Sequence, residues 1–125
     1  MQFIPKSLLS KLYNHNSLKN ADKRVQFSVK SRLSPAVLNE VSKIVLNGEV
    51  IARDRVSVSV EANEPIPLEP VNADNPVEFQ LGTVINVYLD IEPLDEGRHE
   101  LSIDFDATPF GRISLEAQDV LRSNE

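Results

Sequence analysis

The sequence predicts an all-β protein, an antiparallel immunoglobulin-like β-sandwich with one short N-terminal amphipathic helix. Apolar and polar residues alternate in at least four segments, which is the period of strands with one buried face. Turn signals separate these segments, and no succession of strands and helices suggests a parallel sheet. A closed β-barrel is the alternative that the same pattern allows.

The segment from residue 94 to residue 117 carries the clearest alternation. Leu94–Gly97 predicts a turn, and Leu101, Ile103 and Phe105 then fall at every second position. Thr108–Gly111 predicts a second turn, after which the alternation resumes. The pattern is typical of an antiparallel strand pair with one solvent-exposed face.

Four further segments have strand character. Val25–Leu33 alternates regularly, and its polar positions are basic or neutral. Asn47-Gly48 separates two apolar runs and favours the type I′ turn of a β-hairpin, because both residues tolerate positive φ. The segments are Val25–Leu33, Val41–Leu46 with Glu49–Ala52, Val56–Val60, and Thr83–Ile91.

Residues 4–14 predict the helix, since apolar residues recur at steps of four opposite a polar face. So short a helix is marginal alone and must dock its apolar stripe. Three roles remain open: closing an end of the sandwich, docking on a partner subunit, or contacting an anionic membrane. The stripe consists of Ile4, Leu8, Leu9, Leu12 and Tyr13.

The predicted domain organisation is a helical arm at residues 1–15, one β-sandwich domain at 16–119 and a frayed tail at 120–125, with fraying expected from Asp119 onward. Residues 62–80 are rich in proline, which removes ladder donors, so this segment should be an edge or a loop. Such a loop is also a candidate site for a small ligand or carbohydrate.

Composition narrows the class of protein. The 125 residues suit one domain, there is no cysteine, and no apolar run approaches the ~18 residues that span a bilayer. We expect a cytoplasmic protein.

The charge is unevenly distributed along the chain. Residues 1–33 contain seven Lys or Arg and one acid, a charge of +6. Residues 34–125 contain six Lys or Arg and eighteen acids, a charge of −12. The acidic body argues against nucleic acid, and the asymmetry favours protein contacts.

The sequence favours a non-catalytic module. It lacks the common phosphate-binding, nucleophile-elbow and zinc-protease motifs, so we predict no catalytic residue, no metal ligand and no cofactor. An alternative is a small hydrolase or lyase that uses His99 with Asp104 or Asp106. Glu100 shares the predicted strand face of the two aspartates. A solvated charged face and a half-buried rim histidine are the plainer interpretations of these residues.

Two motifs resemble a known family. Val45–Val50 (VLNGEV) resembles a V-D-G-E-x-V hairpin, and Leu94–Leu101 (LDEGRHEL) resembles an L-x-x-G-x-H-E-V strand start. Both are similar to motifs in the small subunits of bacterial C-glycoside deglycosidases, and the resemblance spans residues 24–117. It implies an accessory sandwich that packs on a metal-dependent TIM-barrel subunit.

The N-terminal segment resembles another group. FIPKSLLSKLY and the strand at Ser17–Asn20 are similar to small archaeal proteins, some of which carry the label hydroxymethylglutaryl-CoA reductase. Such a reductase binds two nucleotide-bearing ligands and transfers hydride, which requires a larger chain with a phosphate-binding loop. The resemblance therefore implies an accessory protein.

We expect an accessory or protein-interaction module, such as the small subunit of a larger enzyme complex, whose partner is another protein or a second copy. The basic face of Val25–Leu33 could meet the acidic Arg98–Asp106 face of a neighbour, most simply in a two-fold dimer. The candidate interaction residues are Ile4, Leu8, Leu9, Leu12, Tyr13, Arg24, Lys30 and Arg32.

Overall fold

Two antiparallel sheets form the framework of the computed structural model, which describes residues 10–21, 24–32, 36–61, 66–67, 77–108 and 110–121. The predicted β-sandwich is confirmed, since the described strands divide between two sheets rather than closing into one barrel. The strands are β1 (Lys19–Ala21), β2 (Arg24–Lys30), β3 (Ala36–Leu46), β4 (Glu49–Ile51), β5 (Val56–Val60), β6 (Ile66–Pro67), β7 (Val77–Phe79), β8 (Val84–Leu89), β9 (Gly97–Thr108) and β10 (Gly111–Leu121).

The first sheet has the strand order β1-β2-β8-β5-β6. Its inner face carries the apolar residues of the alternating pattern, and Val25 and Leu89, which pair between β2 and β8, are fully buried. Strand β2 lies between β1 and β8, so both of its edges are paired within the sheet.

The second sheet has the order β10-β9-β3-β4, and β7 also pairs with β3. The β9–β10 hairpin is in continuous register from Gly111 opposite Ala107 to Leu121 opposite Gly97. Its inner side chains, such as Leu101 and Leu115, join those of the first sheet in one hydrophobic core. Burial of each Val, Leu, Ile or Phe side chain in such a core contributes about 1.5–3 kcal/mol.

Strand β3 is longer than predicted and begins at Ala36. Its register against β9 shifts twice, between Leu38 and Glu40 and between Val41 and Lys43. Each irregularity adds a residue, so the buried positions are spaced by three residues instead of two. This is why the first half of β3 shows no period-two alternation in the sequence.

The predicted Asn47-Gly48 hairpin is confirmed. Asn47 has φ 52° and Gly48 has φ 85°, as a type I′ turn requires, and β3 and β4 flank them directly. The 62–80 segment is confirmed as an edge where it is described: Ile66–Pro67 pairs with β5 at the end of the first sheet, and Val77–Phe79 pairs with the start of β3.

The predicted helix at residues 4–14 is wrong in its described part. Ser10–Leu12 form a short 3-10 helix, and Tyr13 already pairs with Val29 of β2. The backbone N–H of Asn14 then donates to the Ser28 carbonyl over 3.0 Å. Strand pairing therefore ends the helix, and residues 4–9 lie outside the described part.

A buried carboxylate joins this N-terminal segment to the last strand. Asp119 of β10 is 5% exposed and accepts a 2.6 Å hydrogen bond from the Tyr13 hydroxyl. The backbone N–H groups of Asn16 and Leu18 also donate to it, over 3.0 and 3.2 Å. Asn16 has φ 72°, a left-handed conformation that Asn tolerates and that turns the chain around the carboxylate.

The frayed tail expected from Asp119 is accordingly wrong for Asp119–Leu121. These residues complete β10, and Leu121 is buried. Residues 122–125 lie outside the described part. The separation of a helical arm at 1–15 from a sandwich at 16–119 stays a prediction.

Burial alone would raise the pKa of Asp119, but the hydrogen bonds from Tyr13 and from the N–H groups of Leu18, Val120 and Asn16 together hold it below its usual value. Burial and the bond to Asp119 raise the pKa of the Tyr13 hydroxyl. The Asp119 carboxylate therefore stays ionised and can accept the hydrogen bond, and the Tyr13 phenol stays protonated and can donate it.

We predict that Asp119→Asn lowers the free energy of unfolding by about 1–3 kcal/mol near neutral pH, because it removes hydrogen bonds to a charged acceptor. The folded-state pKa lies below the unfolded one, so this stabilisation is present above about pH 4 and is lost as the pH falls through the folded-state value. Urea unfolding at neutral and strongly acidic pH checks this. The exposed Asp90→Asn is the control, and an equal Asp119→Asn deficit at both pH values would contradict the prediction.

Candidate functional site

The two sheets carry opposite charge. Within the described strand ranges, the first sheet contains three basic residues and no acid: Lys19, Arg24 and Lys30. The strands of the second sheet contain Lys43, Arg98 and Arg112 against eight acids. The acids are Glu40, Glu49, Glu78, Glu100, Asp104, Asp106, Glu116 and Asp119. The charge asymmetry along the sequence thus becomes an asymmetry between the two sides of the sandwich.

The outer face of the first sheet is the candidate site, and we call it the basic face. The register aligns its side chains in rows across β2, β8 and β5: Gln26, Tyr88 and Ser57 in one row, then Ser28, Asn86 and Ser59 in the next. Lys19 lies opposite Gln26, and Lys30 lies opposite Val84. Its described side chains are Lys19, Arg24, Gln26, Ser28, Lys30, Ser57, Ser59, Val84, Asn86 and Tyr88.

Hydrogen bonds hold the middle of the basic face in place. Ser59, only 1% exposed, lies 3.1 Å from the Tyr88 hydroxyl, and Asn86 Nδ2 donates to Ser59 Oγ over 3.3 Å. Asn86 Nδ2 also donates to the Glu61 carbonyl over 3.0 Å. Glu61, just beyond β5, accepts the Val84 N–H with its carboxylate over 3.1 Å. These bonds restrict the rotamers of Tyr88 and Asn86 before any partner binds.

Arg24 is positioned by the same residues. Its guanidinium carbon lies 4.9 Å from the centre of the Tyr88 ring, a cation–π arrangement. The guanidinium is thereby held over the sheet while Arg24 stays exposed. The basic face can therefore present a fixed cation, a half-buried lysine and amide groups to an anionic surface.

The other predicted interaction residues are placed differently. Arg32 donates to the Lys11 carbonyl over 2.7 Å and to the Asn14 side chain, so it fastens the N-terminal segment. Leu12 and Tyr13 are buried in the core, at 6% and 1% exposure, and are not available as a docking stripe. Ile4, Leu8 and Leu9 lie outside the described residues. Of the predicted set, Arg24 and Lys30 alone belong to the basic face as described.

The predicted enzyme site is not assembled. Glu100, Asp104 and Asp106 lie on the outer face of β9, while His99 lies on the inner face and is 9% exposed. Successive side chains of a strand point to opposite faces, so His99 cannot act together with either aspartate. Asp104 instead accepts a hydrogen bond from Ser114 across the hairpin.

His99 has a structural place at the turn. Its Nε2 lies 2.7 Å from the Asp95 carbonyl, which can only accept, so Nε2 carries the proton. Its Nδ1 therefore accepts from Asn47 Nδ2 over 2.8 Å. Asn47 Oδ1 accepts the Glu100 N–H over 2.9 Å, which connects the β3–β4 turn to β9.

Sequence reasoning missed Ser59, Asn86 and Tyr88. They were identified only as polar positions of the segments Val56–Val60 and Thr83–Ile91. The alternation indicates that each lies on the polar side of its own segment, but not that β8 lies between β2 and β5. That pairing brings Arg24 to Tyr88.

No group of three or more His, Asp or Glu side chains that could hold a metal ion occurs among the described residues. Among the same residues, no helix has both the length and the apolar character needed to cross a membrane. The cytoplasmic location stays a prediction.

We predict that His99→Leu lowers the free energy of unfolding by about 1–2 kcal/mol, because it leaves the Asn47 amide and the Asp95 carbonyl without their partner. Arg98→Leu, next to it but on the exposed face, is the control and should change stability by less than about 0.5 kcal/mol. Urea unfolding measures both. Unchanged stability of His99→Leu would show that the ring does not have this structural role.

Comparison with known proteins gives one relative and one solved structure of note. A subunit of the discoidin-inducing complex of Dictyostelium discoideum is 29% identical over 68 residues, which is 54% of this chain, and the chain spans only 11% of that protein's length. ACE19, the collagen-binding subdomain of the Enterococcus faecalis surface protein ACE, is 8% identical with a TM-score of 0.32. The alignment covers 98% of this chain and 100% of ACE19, but so loose a likeness does not bear on function.

The family comparison covers far more of the chain. The family model described as hydroxymethylglutaryl-CoA reductase, N-terminal domain, matches residues 8–122. The matched range includes every described strand of both sheets. The chain therefore belongs to the hydroxymethylglutaryl-CoA reductase N-terminal domain family.

Proposed function

We propose that this chain is a non-catalytic accessory module that docks, through its basic face, onto an acidic surface of the catalytic part of a hydroxymethylglutaryl-CoA reductase. The observation that carries the proposal is the separation of charge between the two sheets. Family membership supports the choice of partner, since the family takes its name from one domain of that reductase.

The charge pattern suits docking in a defined orientation. The described strands of the first sheet contain bases without acids, whereas those of the second are mainly acidic. An acidic partner surface would attract the first sheet and repel the second. Such complementarity governs orientation and association rate more than affinity.

The fixed side chains of the basic face support the same function. Association costs conformational entropy for each side chain that it immobilises. Tyr88, Asn86 and Ser59 are already connected to one another, and Arg24 lies on the Tyr88 ring. Binding through this face therefore immobilises fewer additional side chains than binding through a face of freely rotating lysines.

The structure does not favour the other functions that the sequence left open. His99 and the two aspartates are on opposite faces of β9, which argues against a hydrolase or lyase built from them. A carbohydrate or small-ligand site in residues 62–80 stays a prediction, because Ile66–Pro67 and Val77–Gln80 are the described parts of that segment. The resemblance to C-glycoside deglycosidase small subunits also stays a prediction.

A homo-oligomer stays a prediction as well, but the placement of the two faces does not favour the suggested two-fold pairing. The basic face and the Arg98–Asp106 face are the outer faces of opposite sheets, so they point away from each other. A two-fold dimer needs both surfaces on the same side of each copy. Contact between these faces would be heterologous and would join copies head to tail.

We predict that the double substitution Arg24→Glu with Lys30→Glu weakens binding to the purified reductase of the same organism by at least about tenfold, roughly 1.4 kcal/mol. The matched control is Arg98→Glu with Arg112→Glu, which changes the net charge equally on the other side of the sandwich. Isothermal titration calorimetry at about 50 mM and about 300 mM salt measures both, and wild-type binding should weaken at the higher salt.

Three outcomes would contradict the proposal. The wild type could fail to bind the reductase at low salt, both double variants could bind equally, or the control could be the weaker one. Sedimentation of the chain alone, at both salt concentrations, separates self-association from binding to the reductase. Circular dichroism of each variant establishes that it is folded.

A further inference from the structure

The turn between β3 and β4 contains a residue pair that is chemically labile in flexible chains. Asn47-Gly48 is the only Asn-Gly pair in the sequence. Because glycine has no side chain, its backbone nitrogen is open to close approach by the preceding asparagine amide. Both residues are exposed, so water reaches them. The turn therefore combines the residues and the solvent access that spontaneous deamidation requires.

The reaction needs only this turn and water. The backbone nitrogen of Gly48 forms a bond to the side-chain carbonyl carbon of Asn47, Cγ, and the bond from Cγ to Nδ2 breaks. Ammonia leaves with the proton that the Gly48 nitrogen gives up, and a five-membered succinimide ring remains. Water then opens the ring at one of its two carbonyl carbons, which yields aspartate or isoaspartate with an ionised carboxyl group.

The folded protein holds the Asn47 amide against β9. Asn47 Oδ1 accepts the Glu100 N–H over 2.9 Å, and Nδ2 donates to His99 Nδ1 over 2.8 Å. Both partners belong to β9, whereas Gly48 continues the chain into β4. The Asn47 N–H also donates to the Glu100 carbonyl over 2.8 Å. The amide must therefore lose both side-chain hydrogen bonds before Cγ can reach the Gly48 nitrogen.

The partners also fix which way the amide is turned. The Glu100 N–H can only donate, so the atom that faces it is the amide oxygen. The proton of the His99 ring is on Nε2, which faces the Asp95 carbonyl, so Nδ1 accepts from the amide nitrogen. Because His99 is only 9% exposed, water does not readily replace it as the acceptor.

We propose that Asn47 is a deamidation site that the folded protein suppresses, with His99 as the positioning residue that holds the reactive amide on β9. Conversion to aspartate removes the donor to His99 Nδ1, and isoaspartate also lengthens the backbone between β3 and β4. Either product weakens the connection of this turn to β9. The proposal is independent of the docking function, since this turn belongs to the second sheet and not to the basic face.

The first experiment compares the folded chain with the chain in urea during prolonged incubation at slightly alkaline pH. Mass spectrometry of peptides measures the conversion of each asparagine. Asn47 should react at least about tenfold more slowly in the folded chain, because the reaction requires local opening. Asn86, which precedes the branched Val87, is the internal control and should stay intact in both. Equal rates at Asn47, or no reaction at Asn47 in urea, would overturn the proposal.

The second experiment tests the role of His99 in the folded chain. His99→Leu should raise the rate at Asn47 about tenfold, because one of the two side-chain hydrogen bonds no longer has to be broken. The matched control is Val58→Ala, which removes buried methyl groups from the first sheet and destabilises the fold away from the turn. It should change the rate by less than about twofold.

Two results of this second experiment would overturn the role of His99. The rate at Asn47 could be unchanged in His99→Leu, which would show that the ring does not restrain the amide. His99→Leu and Val58→Ala could also accelerate the reaction equally, which would show that only unfolding of the whole chain exposes Asn47. Circular dichroism of each variant establishes that it is folded during the incubation.

Discussion

The carboxylate of Asp119 is the interaction on which the closure of the sandwich depends. It lies on β10 at the side of the second sheet and receives hydrogen bonds from the hydroxyl of Tyr13 and from the backbone of Asn16 and Leu18. These donors belong to the segment that pairs with β2 of the first sheet. One buried charge therefore ties the two sheets together along one side. Its partners are numerous enough to offset the desolvation that burial imposes.

The same closure determines which surfaces remain free. Leu12 and Tyr13, candidates for an exposed stripe, are used to fill the core beside Phe27. Arg32, a candidate for a contact with a partner, is used to fasten Lys11 and Asn14. The outer face of the first sheet presents the rows of side chains around Tyr88 and Asn86. Arg24 and Lys30 lie at the ends of this arrangement. The proposed function therefore concerns the face of a sheet rather than a helical arm.

The acidic β9 strand shows how strongly strand geometry limits chemistry. His99, Asp104 and Asp106 are close in sequence and include the residue types of an acid–base pair. Because side chains alternate across the strand, the ring enters the turn region near Asn47 while the carboxylates stay in solvent contact on the opposite side. Two residues of one strand can therefore act on the same substrate only if an even number of positions separates them, because only then do their side chains share a face.

Local pattern was enough to predict the class of fold. Alternation in Val56–Val60 and His99–Phe105 and the chemistry of Asn47-Gly48 depend on backbone geometry between near neighbours, so they can be recognised in sequence. The bulged start of β3 could not be, because its extra residues follow from pairing with β9. The end of the helix at Leu12 could not be either, since it follows from the pairing of Tyr13 with Val29 of β2. The basic face could be predicted only in part. The sequence shows which of its positions are polar. Which strands are neighbours depends on contacts between distant segments, and so does the contact of Arg24 with Tyr88.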